Sequence, residues 1–175
     1  MANTYTLIAS NILSSSAASV TFSSIPSTYT DLVVKWSARG DYASANWYLI
    51  IRLNGSSSSI YSQTTLYTDS TTVSSNRTSN GTNLLPDPPA LDTAGNTSNT
   101  FTNNELYIPS YTASQNKPIS YFGVVEQNTA SSNFSIGTAA TLFSSTSAIS
   151  SIYIAPNNGN FVSGSSFFLY GIKNS

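Results

Sequence analysis

The stretch Thr30–Gly55, TDLVVKWSARGDYASANWYLIIRLNG, decides the fold. Leu32, Val34, Trp36 and Ala38 occupy alternate positions, with Asp31, Val33, Lys35, Ser37 and Arg39 between them. Trp47, Leu49, Ile51 and Leu53 repeat the pattern around Tyr48, Ile50 and Arg52. Side chains alternate across a strand, so each run presents one apolar face to a core. Both tryptophans of the chain fall on these faces. The two strands, joined by a polar connection, are expected to pair antiparallel, with Leu32, Val34, Trp36, Trp47, Leu49 and Ile51 at the centre of the core.

Shorter runs of the same kind flank this pair, at Thr4–Ile8, Ser19–Phe22, Ile60–Tyr67, Glu105–Pro109, Ile119–Glu126, Thr138–Phe143, Ala148–Ala155 and Ser165–Ile172. Turn signals separate them, among them Asn54-Gly55 and Pro156-Asn157-Asn158-Gly159. The inward parity of the last strand stays open between Phe167 with Leu169 and Phe168 with Tyr170 and Ile172. A bulge at Gly171 would let both choices be partly true. The sum is about nine or ten short strands and no amphipathic helix, the pattern of an all-β sandwich or barrel. An antiparallel two-sheet sandwich is predicted, with a jelly roll as first choice among sandwiches.

From Thr68 to Asn103 the alternation vanishes, and the reading there is one long loop. Long loops are commonly functional. Within it, Leu84, Leu85, Pro86, Pro88, Pro89 and Leu91 form a proline-stiffened apolar segment that is a candidate interaction arm. The plainer reading, that the leucines pin the loop to its own domain, stands slightly ahead.

The chain has 175 residues and 18.6 kDa, enough for one domain with a core that needs no staples. It contains no cysteine, so disulfides and thiolate metal sites are excluded. Charged residues make up 7% against about 25% in ordinary domains, with a net charge of −1. Six Lys and Arg, scattered, form no basic patch, which argues against nucleic acid as partner. At 39% apolar and 12% aromatic content, the low charge does not signal disorder. The N-terminus MANTYTLIAS lacks the basic and apolar segments of an export signal, and no run is long enough to span a membrane. A protein made soluble, without an export signal and with no membrane partner, is therefore expected.

Catalytic chemistry is hard to find. No histidine is present, which removes Ser-His-Asp and Cys-His constellations and histidine zinc sites. A glycosidase needs two carboxylates flanking one bond; Glu105 and Glu126, at or near the ends of separate strands, could approach each other, and two ordinary edge carboxylates is the better reading. Asp87, Asp92 and Asn96 offer oxygens to calcium, but fewer than the six to eight that the ion takes. Arg39-Gly40-Asp41 is an integrin-type tripeptide that also serves ordinary turn chemistry. Of eleven tyrosines, Tyr48, Tyr61, Tyr67, Tyr111, Tyr121 and Tyr153 are candidate surface rings for sugar stacking or subunit contact. No enzymatic activity, cofactor or metal is expected.

Three stretches carry a resemblance: Leu7-Ile8-Ala9-Ser10 through Ser19-Val20-Thr21-Phe22-Ser23-Ser24-Ile25-Pro26; Tyr29-Thr30-Asp31-Leu32-Val33-Val34; and Phe161 with Gly164-Ser165-Ser166-Phe167-Phe168-Leu169-Tyr170-Gly171-Ile172. Together they resemble a group of small β-sandwich virion proteins of tailed bacteriophages. The resemblance implies a structural part of the particle: a capsid decoration or cement protein, a head fibre or a tail appendage. Its implied partners are the major capsid protein or other virion proteins and copies of itself, with a trimer fitting the group. A tail-fibre tip recognising host carbohydrate is the alternative. The group supplies no catalytic residues.

Overall fold

A computed structural model describes residues 4–44, 48–69, 72–84, 91–128 and 135–173. Among them are eleven strands and no helix: β1 (Tyr5–Ile12), β2 (Val20–Phe22), β3 (Asp31–Ala38), β4 (Leu49–Leu53), β5 (Tyr61–Asp69), β6 (Thr72–Gly81), β7 (Thr102–Ile108), β8 (Lys117–Val125), β9 (Ser135–Phe143), β10 (Ile152–Pro156) and β11 (Ser166–Ile172). Every pairing between these strands is antiparallel. Eight strands form one sheet in the order β1-β11-β3-β7-β8-β9-β5-β6, and three form the other in the order β2-β10-β4. The protein is an all-β sandwich with sheets of very unequal width, where a simple jelly roll divides its eight strands between two sheets.

The predicted pairing of the two organising strands is corrected. β3 lies between β11 and β7, whereas β4 pairs with β10 in the small sheet. The connection after Ala38 carries the chain from one layer to the other: Gly40 N donates to Asp92 O and Asp41 N to Asn160 O before the strand resumes. The two apolar faces meet across the core instead of side by side. Leu32, Val34, Trp36, Leu49 and Ile51 are all buried, Trp36 being 2% exposed. Trp47 lies outside the described residues. Trp36 stacks on Tyr121, with ring centroids 6.0 Å apart.

The loop expected over 68–103 is also corrected. β5 runs to Asp69, and β6 returns alongside it as an edge strand. β6 reads TVSSNRTSNG and buries no residue, so no apolar alternation existed to reveal it. Backbone pairing to β5 holds it in place, and Arg77 Nη1 donates to Thr64 Oγ1 at 2.9 Å. This strand is the one the sequence count of nine or ten lacked.

Asn54 and Gly55 both take positive φ, 54° and 64°, as the turn after β4 requires. The Asn54 side chain also bonds Ala148 O, Ser150 N and Ser151 N, tying that turn to the segment entering β10. On β11, Phe167 and Leu169 point inward and are fully buried. The bulge falls in β1, between Leu7 and Ala9, not at Gly171. Gly171 instead makes room for Tyr29, whose ring atoms would lie 2.3–2.6 Å from any added Cβ.

Candidate functional site

The outer face of the eight-stranded sheet is the candidate. Seven large apolar side chains on the strands are well exposed: Tyr5, Leu7, Ile12, Leu66, Val73, Phe122 and Ile136. The register places all seven on this one face. Leu66, Thr138 and Phe122 are successive cross-strand neighbours, and the same row continues through Glu105 and Lys35 to Phe168. Val73 and Ile136 flank that row at one end; Tyr5, Leu7 and Ile12 stand on β1 at the other. Tyr5 meets Tyr170 edge-on at 6.3 Å, and Tyr170 stacks with Phe168 at 6.4 Å. Exposed apolar patches beyond a few hundred Å² are uncommon on monomers and mark contact surfaces.

Between the two apolar ends the face is neutralised from within. Lys35 and Glu105 pair at 2.8 Å. The Tyr107 hydroxyl and Ser110 N donate to the Asp31 carboxylate at 2.9 and 2.8 Å. Burial, then the Asp31 hydrogen bond, push the Tyr107 pKa up. A shallow groove of about 740 Å³ crosses the same face, lined by Leu66, Tyr107, Pro109, Pro118, Ser120 and Ala140 among others, with no charged residue in its lining.

The sequence candidates separate cleanly. Leu84 and Leu91, proposed as parts of an interaction arm, are each 1% exposed and belong to the core. Leu84 forms a bridge to Ile51, exchanging N–H···O bonds of 2.9 and 3.0 Å. These two leucines follow the plainer of the two readings, pinning the segment to its own domain, and do not serve as contact residues. Leu85, Pro86, Pro88 and Pro89 lie outside the described residues. Tyr61, Tyr111 and Tyr121 are buried and cannot serve as platforms. The Tyr61 hydroxyl bonds Leu53, and the Tyr121 hydroxyl donates to Asn104. Tyr48 is exposed; Tyr67 and Tyr153 are half-buried.

Glu105 and Glu126 do not form a pair. Glu105 sits opposite Phe122, four residues before Glu126, which is about 13 Å along a strand. Glu126 Oε1 accepts from Gln127 N and Asn128 N. Asp92 and Asn96 do meet, Asn96 donating to the Asp92 carboxylate. The cation beside them is Arg39, whose guanidinium lies 3.8 Å from Asp92 and donates to the carbonyls of Asn96, Thr97 and Thr100. Asp87 lies outside the described residues. Asp41 accepts from the backbone and side-chain nitrogens of Asn160 at 2.7 and 3.1 Å. Arg39-Gly40-Asp41 is therefore a structural staple of the β3–β4 crossing, not a displayed tripeptide.

One buried group was missed. Lys117 is 0% exposed, and its ammonium donates to the carbonyls of Ala113, Gln115, Ser145 and Ser147. No ion-pair partner is found for it among the described residues. Burial pushes its pKa down, and the four carbonyl oxygens oppose that by favouring the charged form. The ammonium joins the loop before β8 to the loop after β9. Its position two residues before Ile119, on the inward parity of β8, was the available signal.

No family model and no curated protein matches the chain. Among solved structures, the binding domain of botulinum neurotoxin DC in complex with SialylT is similar at 10% identity over 95% of this chain, with a TM-score of 0.22. The chain spans 44% of that chain, and a likeness at this level carries no argument.

Proposed function

We propose that the chain is a structural subunit of a bacteriophage particle, a capsid decoration or cement protein that works by contact area. The observation that carries this reading is the outer face of the large sheet, where the exposed apolar side chains are concentrated and Lys35 is paired with Glu105. The five carboxylates with described side chains, Asp31, Asp41, Asp92, Glu105 and Glu126, are each engaged with groups of the chain itself. On a shell, many modest contacts act together, so avidity replaces individual affinity. The major capsid protein or another virion protein is the expected partner. Virions purified from the phage that encodes the chain should contain it in stoichiometric amounts by quantitative mass spectrometry; its absence from them overturns the proposal.

The groove favours a second reading, a tail-fibre tip that recognises host carbohydrate. Its uncharged lining includes the ring of Tyr107 and the hydroxyl of Ser120, and Phe122 stands in the adjacent row. A neutral glycan would suit such a surface. Glycan-array binding lost on Phe122→Ala would support this reading, and an array without any signal would remove it.

A further inference from the structure

We propose that the four carbonyl oxygens around Lys117 form a binding site for a large monovalent cation, of the potassium or ammonium class, and that the Lys117 ammonium is its tethered occupant. The inference concerns the chain alone and stands whether or not it belongs to a phage particle. Nζ lies 2.8 Å from Ala113 O, 3.1 Å from Ser147 O and 3.2 Å from Ser145 O, with Gln115 O as the fourth contact. An ammonium has three N–H donors, and here it meets four acceptors. The oxygens therefore surround a charge, beyond any one-to-one matching of donors to acceptors. Backbone carbonyls grouped in this way replace the hydration shell of potassium in selective channels.

The donor set selects the ion. All four oxygens are neutral, and among the described residues no carboxylate pairs with Lys117. Those residues also contain no cluster of three or more His, Asp or Glu able to hold a metal. Calcium sits about 2.3–2.6 Å from its oxygens and magnesium about 2.0–2.1 Å. Three of the four oxygens here stand farther out than either range. The cradle is too wide and too weakly charged for a divalent ion, and it suits one positive charge on a larger body.

The oxygens are set in place without help from the ammonium. In the loop before β8, Ala113 N donates to Ser110 O at 3.0 Å and Gln115 N to Ala113 O at 2.8 Å. In the loop after β9, Ser144 N donates to Ile60 O at 2.8 Å and Ser145 N to Phe143 O at 2.9 Å. Ile149 N, donating to Tyr111 O at 3.0 Å, fastens the two loops to each other. Lys117 itself is fully buried, yet Gln115 and Ser147 are exposed. The cradle thus lies just beneath the surface, where an ion from solution can enter once the lysine stem is removed. In the native chain the lysine fills it at every salt composition, so the loop junction needs no ion from outside.

Chemical rescue of Lys117→Ala tests the proposal. The substitution excises a piece with the shape of propylammonium. Melting temperatures of the full chain and the variant are read in chloride salts at one ionic strength. The variant should melt at least roughly 2 °C higher in potassium or propylammonium chloride than in choline chloride, whose cation is too bulky to enter. Lithium, too small to reach all four oxygens, should give the choline value. The parent chain should melt alike in all four salts, its cradle being filled. If the variant is unfolded in choline chloride, strand structure regained in potassium or propylammonium chloride, read by circular dichroism, is the same result. Propanol at equal concentration should not substitute for propylammonium. No difference among the salts for the variant, folded or unfolded, overturns the proposal. So does an equal shift in the parent chain, or a rescue by propanol that matches propylammonium.

Discussion

Lys35 and Glu105 face each other as register partners on β3 and β7, with Nζ 2.8 Å from Oε2. They are a charge pair on the outer face, in the row that runs from Leu66 to Phe168. Both side chains are about half exposed, 49% and 43%, so the pair adds little in the free chain. Glu105→Gln should change the unfolding free energy by no more than about 1 kcal/mol in urea denaturation. In an assembly that buries this face, the same substitution leaves the Lys35 ammonium unpaired. Binding should then weaken by roughly 2–5 kcal/mol, read by titration against the partner.

Alkaline pH should destabilise the protein. Burial pushes up the hydroxyl pKa values of Tyr61, Tyr107, Tyr111 and Tyr121. The hydrogen bond to Glu105 raises that of Lys35. Groups whose folded pKa exceeds the unfolded value give stability that is complete below the unfolded pKa. That stability is lost as pH rises through the folded one. Lys117, lowered by burial, works in the opposite direction but is a single group. Melting temperature should therefore fall above pH about 10. The tyrosinate absorbance of the buried rings should appear together with unfolding, not before it.

Lys117→Met should be among the costliest single substitutions. It removes the ammonium from four carbonyl oxygens, those of Ala113, Gln115, Ser145 and Ser147, and replaces it with a thioether that donates nothing. Leaving buried acceptors unsatisfied costs about 1–3 kcal/mol each where water cannot reach them. A loss of about 1–3 kcal/mol is expected in chemical denaturation. Amide exchange should accelerate first in the two loops that the ammonium joins.

Leu84→Ala distinguishes packing from contact. Leu84 is 1% exposed and bridged to Ile51, so truncation should cost about 2–5 kcal/mol of folding stability. At the temperatures where the variant remains folded, its association with other proteins should match that of the parent chain. Thermal denaturation alongside a binding isotherm reads both.

The sheet interior was legible because period-two alternation is an imprint of burial. Leu32, Val34, Trp36, Leu49 and Ile51 were visible for that reason and are buried. Alternation identifies a face but not its neighbour: β3 and β4 share a pattern and a chain connection, yet sit in different sheets. What separates them is the hydrogen bonding of Gly40 and Asp41 to Asp92 and Asn160, contacts far apart in sequence. β6 was illegible because neither of its faces is buried. The outer-face surface was illegible for a related reason. Tyr5, Leu66 and Phe122 each look like ordinary strand residues until the register sets them on one face of one sheet.

β6 also bears on how this chain can change over generations. No side chain between Thr72 and Gly81 is buried, so most positions there are not tied to the shape of a neighbour in the core. Most surface replacements of this kind shift stability by less than about half a kcal/mol. Apart from Asn80, whose φ of 55° suits few residues, the strand is free to respell itself while the backbone ladder to β5 keeps its path. Here a lineage can vary its outermost lettering, and so what an antibody or a competitor meets there, while the architecture beneath stays as it is.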